Sequence, residues 1–457
     1  MGAPFNDEVV DIKLGKNNAD PIIITVHCAD RIGLTCDLAG IIFDYGLAVV
    51  RGDVSTDGKW CYLVFWVLPR PGSPRRFPWA MLKNNLISVC PPNPDQLFFA
   101  INPDPKPAKV YVLQIYSLDR AGLLNDMSQV LWDLEFSIQK VKASTTPEGR
   151  AMVLFFVIDN RDLLHTQKRQ DEGCNRLKTV LGESTTHCEI RVAPELGTVD
   201  CASFSLLRPY IVEDLCKLQL TEFETDAKSV EANKSIQGTK SVQGNTSIQG
   251  TNSVQPNKSI QATNCIQANG SLTSKVSVTI DNSLSPAHTL LQISCKDHKG
   301  LLYDVLRTLK DYNIQISYGR LSTNAKGICE VDLFILQTDG RKIIDPQKQS
   351  CLCSRLEIEI SHPVRVKIVD RGPDTELLVA SRVEISGKCR PRVLYDVTLV
   401  LKTLGICIFT ADLVRYAMGD LQWEVYRFLL IDRPDLSLGS SRTRSQITER
   451  VENMLIG

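Results

Sequence analysis

The chain has 457 residues, 43% of them hydrophobic, which is enough for three or four ordinary domains with buried cores. Its 52 basic and 52 acidic residues give a formal net charge of zero, which excludes a general electrostatic attraction to nucleic acid or to anionic lipid. No apolar run approaches the ~20 residues that a membrane span needs, so we expect neither a nucleic-acid partner nor a membrane partner.

The amino-terminal stretch has no apolar signal core and lacks the basic, acid-poor composition of a transit peptide. Most of the fifteen cysteines stand singly in apolar segments, as buried free thiols do in a reducing compartment. The closest pair, Cys351 and Cys353, has no CxxC partner elsewhere, so a metal site is not predicted. We expect a cytoplasmic protein, with the nucleus possible.

Similar patterns recur along the chain about every ninety residues, with one gap of double length. Unit 1 (20–102) begins with the strand-like run "IIITV", has a helical pattern from Leu34, and continues with two strand-like runs around the turn "DGK". Unit 2 (108–196) repeats this order with "VYVLQIYS", a helical pattern from Leu123 and two strands around "TTPEGR". A second helix and the closing strand "HCEIRVA" follow.

The double-length gap contains a hexad repeat, KSIQGT KSVQGN TSIQGT NSVQPN KSIQAT NCIQAN, which begins at Lys234. Each hexad has one aliphatic residue, as in a parallel β-helix, but six hexads would wind only about two coils and could not bury a core. Polar, glycine-containing repeats are typically disordered. We therefore predict that 197–285 is a disordered low-complexity linker.

Two further units follow the linker. Unit 3 (286–371) has the strand-like run "HTLLQIS", a helical pattern from Leu301 and two further strands. Unit 4 (376–457) repeats the pattern with a helix from Val393. Its second helix, "SQITERVENMLIG", reaches the chain end, so we expect its last strand to be missing.

The repeated order predicts an α+β fold of tandem ferredoxin-like (βαββαβ) units, with antiparallel sheets that carry their helices on one face. The uncovered sheet faces favour pairing of the units, sheet to sheet. Short connectors, 102–109 and 370–376, favour pairing of unit 1 with unit 2 and of unit 3 with unit 4.

Three units carry related strings between the first strand and the first helix: "DRIGL", "DRAGLL" and "DHKGLL". Units of this kind resemble ACT domains, most of all those at the end of the bacterial uridylyltransferase/uridylyl-removing nitrogen sensor. A chain of four such units without a catalytic domain resembles the plant ACT-domain repeat proteins. The stretches "STDGKWCYLVFWV" and "RPRVLYDVTLVLKTLGICIFTAD" are similar to one branch of that group, and the resemblance covers nearly the whole chain outside 197–285.

The resemblance implies a non-catalytic regulatory protein, with a place in nitrogen sensing, that binds amino acids near these turns at interfaces between paired units. Glycine lets a ligand approach the backbone, and the next helix begins with free N–H groups that suit a carboxylate. The candidate ligand-binding residues are Asp30, Arg31, Gly33, Leu34, Asp119, Arg120, Gly122, Leu123, Asp297, His298, Gly300 and Leu301. The helix-entry residues are Asp37, Asp126, Asp304 and Asp396.

Turn chemistry without any ligand explains the same residues about as well, because aspartate closes turns and is favourable in a first helical turn. Unit 4 departs from the pattern, with Arg392 at the glycine position, so we expect unit 4 to be structural and to pair with unit 3. In unit 3, His298 replaces the arginine and would make a carboxylate contact depend on pH.

An enzyme is not predicted, because the chain has no phosphate-binding loop, no HExxH and no GxSxG motif. We predict no catalytic residue, no metal and no cofactor. Two functions remain open. One is a sensor for a small-molecule amino acid, and the other is a ligand-free protein–protein interaction scaffold of paired ACT domains. Either could act on a protein target or form a homo-oligomer.

Overall fold

The computed structural model describes residues 8–17, 20–70, 77–91, 109–193, 211, 215, 276–418, 421–431 and 437–457. The hexad repeat and most of the predicted linker lie outside the described residues. One compact part comprises Met1–Leu207 and Lys275–Gly457. All four predicted units belong to this part.

The first two units contain six regular elements each. Those of unit 1 are β1 (Val10–Lys13), β2 (Ile22–Ala29), α1 (Leu34–Asp44), β3 (Leu47–Thr56), β4 (Trp60–Pro69) and α2 (Trp79–Val89). Those of unit 2 are β5 (Tyr111–Leu118), α3 (Leu123–Asp133), β6 (Phe136–Thr145), β7 (Arg150–Asp159), α4 (Gln167–Leu181) and β8 (Thr185–Val192).

The last two units have the same number of elements. Those of unit 3 are β9 (Ser277–Asp281), β10 (Thr289–Lys296), α5 (Leu301–Asp311), β11 (Gln315–Thr323), β12 (Ile328–Leu336) and α6 (Pro346–Ser361). Those of unit 4 are β13 (Val364–Arg371), β14 (Asp374–Arg382), α7 (Val393–Thr403), β15 (Ile408–Met418), β16 (Leu421–Leu430) and α8 (Ser441–Ile456).

The strands form two antiparallel sheets of eight strands each. Their orders are β1-β2-β4-β3-β11-β12-β10-β9 and β13-β14-β16-β15-β6-β7-β5-β8. Within each unit the strand that follows the first helix lies at the edge of the unit, beside the strand that comes next in the chain. This is the ferredoxin-like arrangement. The predicted α+β fold of tandem βαββαβ units is therefore confirmed. No helix in the described ranges combines the length and the apolar character needed to cross a membrane.

The predicted choice of partner units was wrong. Unit 1 pairs with unit 3 through β3 and β11, and unit 2 pairs with unit 4 through β6 and β15. Each pairing joins the free edges of two sheets, so the unpaired N–H and C=O groups of both edges find partners. Which units pair depends less on their closeness along the chain than on these edge hydrogen bonds, because the entropy cost of closing a loop grows only slowly with its length.

The outer strand of a unit does not always follow its second helix. Among the described residues, unit 2 uses the strand after that helix, β8, whereas β1, β9 and β13 precede the strands with which they pair in units 1, 3 and 4. The run 364–371 lies within the predicted bounds of unit 3, but it pairs with β14 and supplies the outer strand of unit 4. Gly372, at φ 69, allows the tight hairpin between them. We propose that units 1, 3 and 4 begin near residues 10, 277 and 364.

Strand pairing also aligns the first helices of the paired units. Helix α1 packs against α5 through a small apolar cluster that includes Phe43 and Tyr303. Helix α3 packs against α7, where the Asn125 side-chain amide donates to Tyr395 O at 3.2 Å. In both pairs the start of one helix lies beside the end of the other, and the predicted ligand-binding turns lie at those starts.

Engineered disulfides test the pairing of the units. Ser55 lies opposite Tyr318, and Ser144 opposite Thr410, across the joined edges. Opposed Cα atoms in antiparallel strands are about 4.5–5.5 Å apart, which suits a disulfide. We expect S55C/Y318C and S144C/T410C to cross-link under mild oxidation, as read by peptide mapping with mass spectrometry. The pair S55C/S144C, which would link units 1 and 2, should stay reduced, and its cross-linking would contradict this topology.

Candidate functional site

The four turns between first strand and first helix share one backbone conformation. Gly33, Gly122 and Gly300 precede their helices with φ of 78°, 80° and 87°, in the left-handed region that glycine adopts without strain. Arg392 holds the same place in unit 4 with φ 67°. The turn is thus retained in unit 4 at the cost of backbone strain.

The aspartates that open these turns close them onto the neighbouring hairpin. The backbone N–H of Asp30 donates to Lys59 O at 2.8 Å, and that of Asp119 donates to Gly149 O at 2.9 Å. Their carboxylates accept hydrogen bonds from Thr56 Oγ1 at 2.7 Å and from the equivalent threonine of unit 2 at 3.0 Å. These contacts favour the turn interpretation for the aspartates of units 1 and 2.

The helix-entry aspartates bind cations of the protein itself. Asp37 contacts Arg31 Nη2 at 2.6 Å within unit 1, Lys310 Nζ of unit 3 at 2.9 Å and Lys388 Nζ of unit 4 at 2.7 Å. Burial alone would raise the pKa of Asp37, but the hydrogen bonds from Lys388 and Lys310 outweigh burial and lower it to about 2. Arg31, a candidate ligand-binding residue, is therefore engaged by its own helix.

Unit 2 has a more exposed version of the same arrangement. Asp126 contacts Arg120 Nη2 at 2.5 Å and Lys402 Nζ of unit 4 at 2.6 Å. Burial acts to raise the pKa of Asp126, and the hydrogen bonds from Lys402 and Arg120 lower it overall. The side chains of Arg120 and Lys402 are 43% and 41% exposed, so both cations remain open to solvent.

The turns of units 3 and 4 each contribute a basic side chain that contacts the helix-entry aspartate of the other unit. Arg390 of unit 4 donates to both carboxylate oxygens of Asp304 at 3.2 Å, and Lys299 of unit 3 reaches Asp396 at 2.5 Å. Arg390 also donates to the backbone oxygen of Lys299 at 2.7 Å. Glu384, near the start of the unit 4 turn, accepts from Lys310 Nζ at 2.8 Å. The turn of unit 4 thus contacts units 1 and 3, which form one sheet, from the sheet that units 2 and 4 form.

The space beside each glycine is occupied by the neighbouring unit. A Cβ atom at Gly33 would meet the carbon chain of Lys310 at 2.8 Å, and one at Gly122 would meet that of Lys402. At Gly300 it would meet Arg390 Nη2 at 2.6 Å. Because glycine has no Cβ atom, these basic side chains can lie directly against the backbone of the turns. No local sequence motif predicted these contacts. Lys310 and Lys402 occupy matching positions of their helices, a signal available only once the units are aligned.

Two depressions lie beside the turns at the joined edges. The unit-2 depression is lined by Asp119, Arg120, Gly122, Leu123 and Ile408 of β15, among others, and its volume of about 330 Å³ includes open solvent above it. Burial raises the pKa of Asp119 there.

The unit-3 depression opens between units 1 and 3, and its volume of about 380 Å³ includes open solvent above it. Asp297, His298, Gly300 and Leu301 line it, together with Arg70, which follows β4 and which sequence reasoning missed. Burial raises the pKa of Asp297 and lowers that of His298. In the described part of the chain, no three His, Cys, Asp or Glu side chains are arranged to hold a metal ion.

Removing one helix-entry carboxylate should destabilise the protein more at the buried site of unit 1 than at the more exposed site of unit 2. Asp37 is nearly buried, so D37N removes the carboxylate that Arg31 and Lys388 contact and one of the two that Lys310 contacts, and it should cost about 3 kcal/mol of folding free energy. D126N, at the equivalent position beside half-exposed cations, should cost less than about 1 kcal/mol. Urea unfolding measures both. Equal losses would show that burial does not decide the strength of these contacts.

The contribution of Asp37 should depend on pH in a defined direction. Its pKa is lower in the folded state, so its stabilising effect is present above the unfolded value near 3.8 and is lost as the pH falls through about 2. The stability difference between the wild type and D37N should therefore be constant from neutral pH down to about pH 5 and shrink below about pH 4. Urea midpoints across this range measure it, and a difference that grew on acidification would contradict the assignment.

Comparison with known proteins gives three family matches along the chain. Residues 12–91 match the model "ACT domain-containing protein ACR10, N-terminal", residues 277–374 match "ACR9-like, ACT-like domain", and residues 375–457 match "ACT domain-containing protein ACR9, C-terminal". Part of a bacterial enzyme is also similar. The bifunctional uridylyltransferase/uridylyl-removing enzyme of Rhodospirillum rubrum is 33% identical over 91 residues, which are 20% of this chain and 10% of that protein.

Two full-length relatives come from Arabidopsis thaliana. The ACT domain-containing protein ACR9 is 45% identical over 455 residues, and ACR10 is 41% identical over 461 residues. Each alignment covers 99% of this chain and 99% of the relative. The resemblance predicted from the turn motifs is confirmed, and the chain belongs to the plant ACT-domain repeat proteins of the ACR9 and ACR10 type, a regulatory family whose domains commonly bind amino acids.

Proposed function

We propose that this protein is a non-catalytic sensor that binds amino acids in the unit-2 and unit-3 depressions. The observation that carries the proposal is that each depression lies at a joined edge and combines an aspartate, a basic side chain and apolar residues around a helix start. A zwitterion needs this combination, because its ammonium group seeks a carboxylate and its carboxylate seeks a cation or free N–H groups.

The charge at the unit-2 depression favours a carboxylate ligand. Asp126 carries one negative charge between Arg120 and Lys402, so this helix start keeps an excess of positive charge. Both cations are partly exposed and can turn toward a ligand without breaking a buried contact. Asp119, on the other side of the depression, is the acceptor for the ammonium group. Arg120, Asp119 and Gly122 are thus the ligand-binding residues proposed for unit 2.

Ligand binding would regulate the packing between units. The unit-2 depression is lined by Ile408 of unit 4, and the unit-3 depression is lined by α1 and β3 of unit 1, so a ligand in either touches two units. A ligand that binds one arrangement of the units more tightly shifts the population toward it. The output would be a changed surface for a protein target or for a second copy of the chain. We place this action in the cytoplasm, within nitrogen sensing.

A ligand-free scaffold is the second candidate. The observation that favours it is the cover of each turn glycine by Lys310, Lys402 or Arg390, whose side chains occupy the space beside the glycine that a ligand would need. In unit 1 this replacement is most complete, because Asp37 contacts three cations. We therefore do not include Gly33 among the proposed ligand contacts.

Thermal shift and calorimetry of the full chain against the twenty amino acids test the sensor. We expect at least one amino acid to bind with a dissociation constant below about 1 mM. A143F fills the unit-2 depression and A48F fills the unit-3 depression, and each should remove binding at its own site. A287F, on an exposed loop outside both, is the control and should bind as the wild type does. If no amino acid binds, the scaffold is the better interpretation.

A further inference from the structure

Apolar side chains from both units line the unit-3 depression, beside a cluster of polar ones. Helix α1 and strand β3 of unit 1 supply one wall, with Ile42 and Val49 among the lining residues. Helix α5 and strand β11 supply the other wall, with Leu302 and Leu321. An ionised side chain buried between such walls would lose its hydration without gaining a partner, which is costly. The lining therefore selects against ligands with charged side chains.

The polar cluster has three side chains, Arg70, Asp297 and His298. Arg70 is positioned by its backbone N–H, which donates to Gly46 O at 3.1 Å. Burial lowers the pKa of Arg70 and raises that of Asp297, and the charge of each group acts against the shift of the other. In the described part of the chain no ion pair between them is found within 4.0 Å, and Arg70 Nη1 lies beside Gly457, 3.8 Å from where a Cβ atom of that residue would be. An acidic group and a basic group thus lie near each other with room for a molecule that contacts both.

Two nitrogen atoms in this cluster lack partners. Arg70 Nε and His298 Nε2 are both buried, and neither has a hydrogen-bond partner among the described residues. His298 Nδ1 lies 3.3 Å from Lys299 O, and this contact requires the proton on Nδ1, so that Nε2 is an acceptor in the neutral ring. A buried group without a partner costs free energy that a bound ligand can recover.

The geometry points to an apolar α-amino acid, of the leucine, isoleucine or valine class, as the ligand of the unit-3 depression. Arg70 binds its carboxylate, Asp297 and His298 Nε2 accept hydrogen bonds from its ammonium group, and the walls from α1, β3, α5 and β11 hold its side chain. This inference rests on the proposed amino-acid-binding function and adds to it the ligand class and the residue that anchors the carboxylate. Arg70 lies outside the turn motif and belongs to the paired unit, so the site requires both units.

Calorimetry on the full chain tests this assignment in the A143F background, where the unit-2 depression is filled. L-Leucine should bind at least about tenfold more tightly than L-lysine or L-aspartate. Two fragments identify the contacts: 3-methylbutylamine lacks the carboxylate and 4-methylpentanoate lacks the ammonium group. Each should bind at least about tenfold more weakly than L-leucine.

R70M removes the guanidinium group and retains an apolar stem. It should weaken L-leucine at least about tenfold while leaving 3-methylbutylamine within about twofold, a difference that a general structural defect would not produce. R176M, on the exposed face of α4, is the matched control and should leave both affinities unchanged. R70K, which keeps the charge, should retain more leucine affinity than R70M, and it serves as the test if R70M is poorly folded.

The outcomes separate the two proposals. If the wild type binds no amino acid, the proposed function fails and this inference fails with it. If the wild type binds amino acids but prefers polar ones, the ligand class assigned to unit 3 is overturned while the proposed function stands. If R70M, or R70K where R70M is unfolded, binds L-leucine and discriminates the fragments as the wild type does, the assignment of Arg70 as the carboxylate anchor is overturned while the proposed function stands.

Discussion

The rest of the structure depends on one free edge in each unit, that of the strand that follows the first helix. A ferredoxin-like unit leaves the backbone groups of that strand without partners on one side. The pairing of β3 with β11, and of β6 with β15, satisfies these groups and joins four units into two continuous sheets. Each junction also fixes which helices are neighbours, because the first helix of a unit lies over the same edge.

The helix pairs then decide the chemistry of the turns. Since the start of one helix lies beside the end of its partner, a lysine in the last turn of α5 or α7 reaches the aspartate in the first turn of α1 or α3. Negative charge at a helix start and positive charge at a helix end are each favourable, so the exchange is stabilising at both ends. The carbon chain of each lysine lies against the turn glycine, where a Cβ atom would collide with it. This packing requires a glycine whether or not a ligand binds.

Unit 4 shows how a turn that has lost its glycine acquires another role. Arg392 adopts a strained left-handed conformation, and its guanidinium group donates to Asp44 O at 2.9 Å. Within the same turn, Lys388 reaches Asp37 of unit 1 and Arg390 reaches Asp304 of unit 3. These contacts bring the two sheets together and offset the local strain.

The sequence was informative wherever the signal was local. The strings around Gly33, Gly122 and Gly300 identified the turns and the helix starts, and the periodicity identified most strands. Two fold expectations failed for a common reason. The order of units along the chain did not reveal which edges join, and the run 364–371 could not be assigned to unit 3 or unit 4, because an outer strand can enter a sheet before or after the rest of its unit.

By itself, the sequence determined the repeat, the fold of each unit and the place of each turn, because these follow from periodicity and from residues close together along the chain. Only the tertiary structure decided that unit 1 joins unit 3 and that unit 2 joins unit 4. It also decided that Lys310, Lys402 and Arg390 cover the glycines, and that Arg70 faces Asp297 and His298. These contacts join residues far apart in sequence, and their energies depend on burial and distance, which no local pattern encodes.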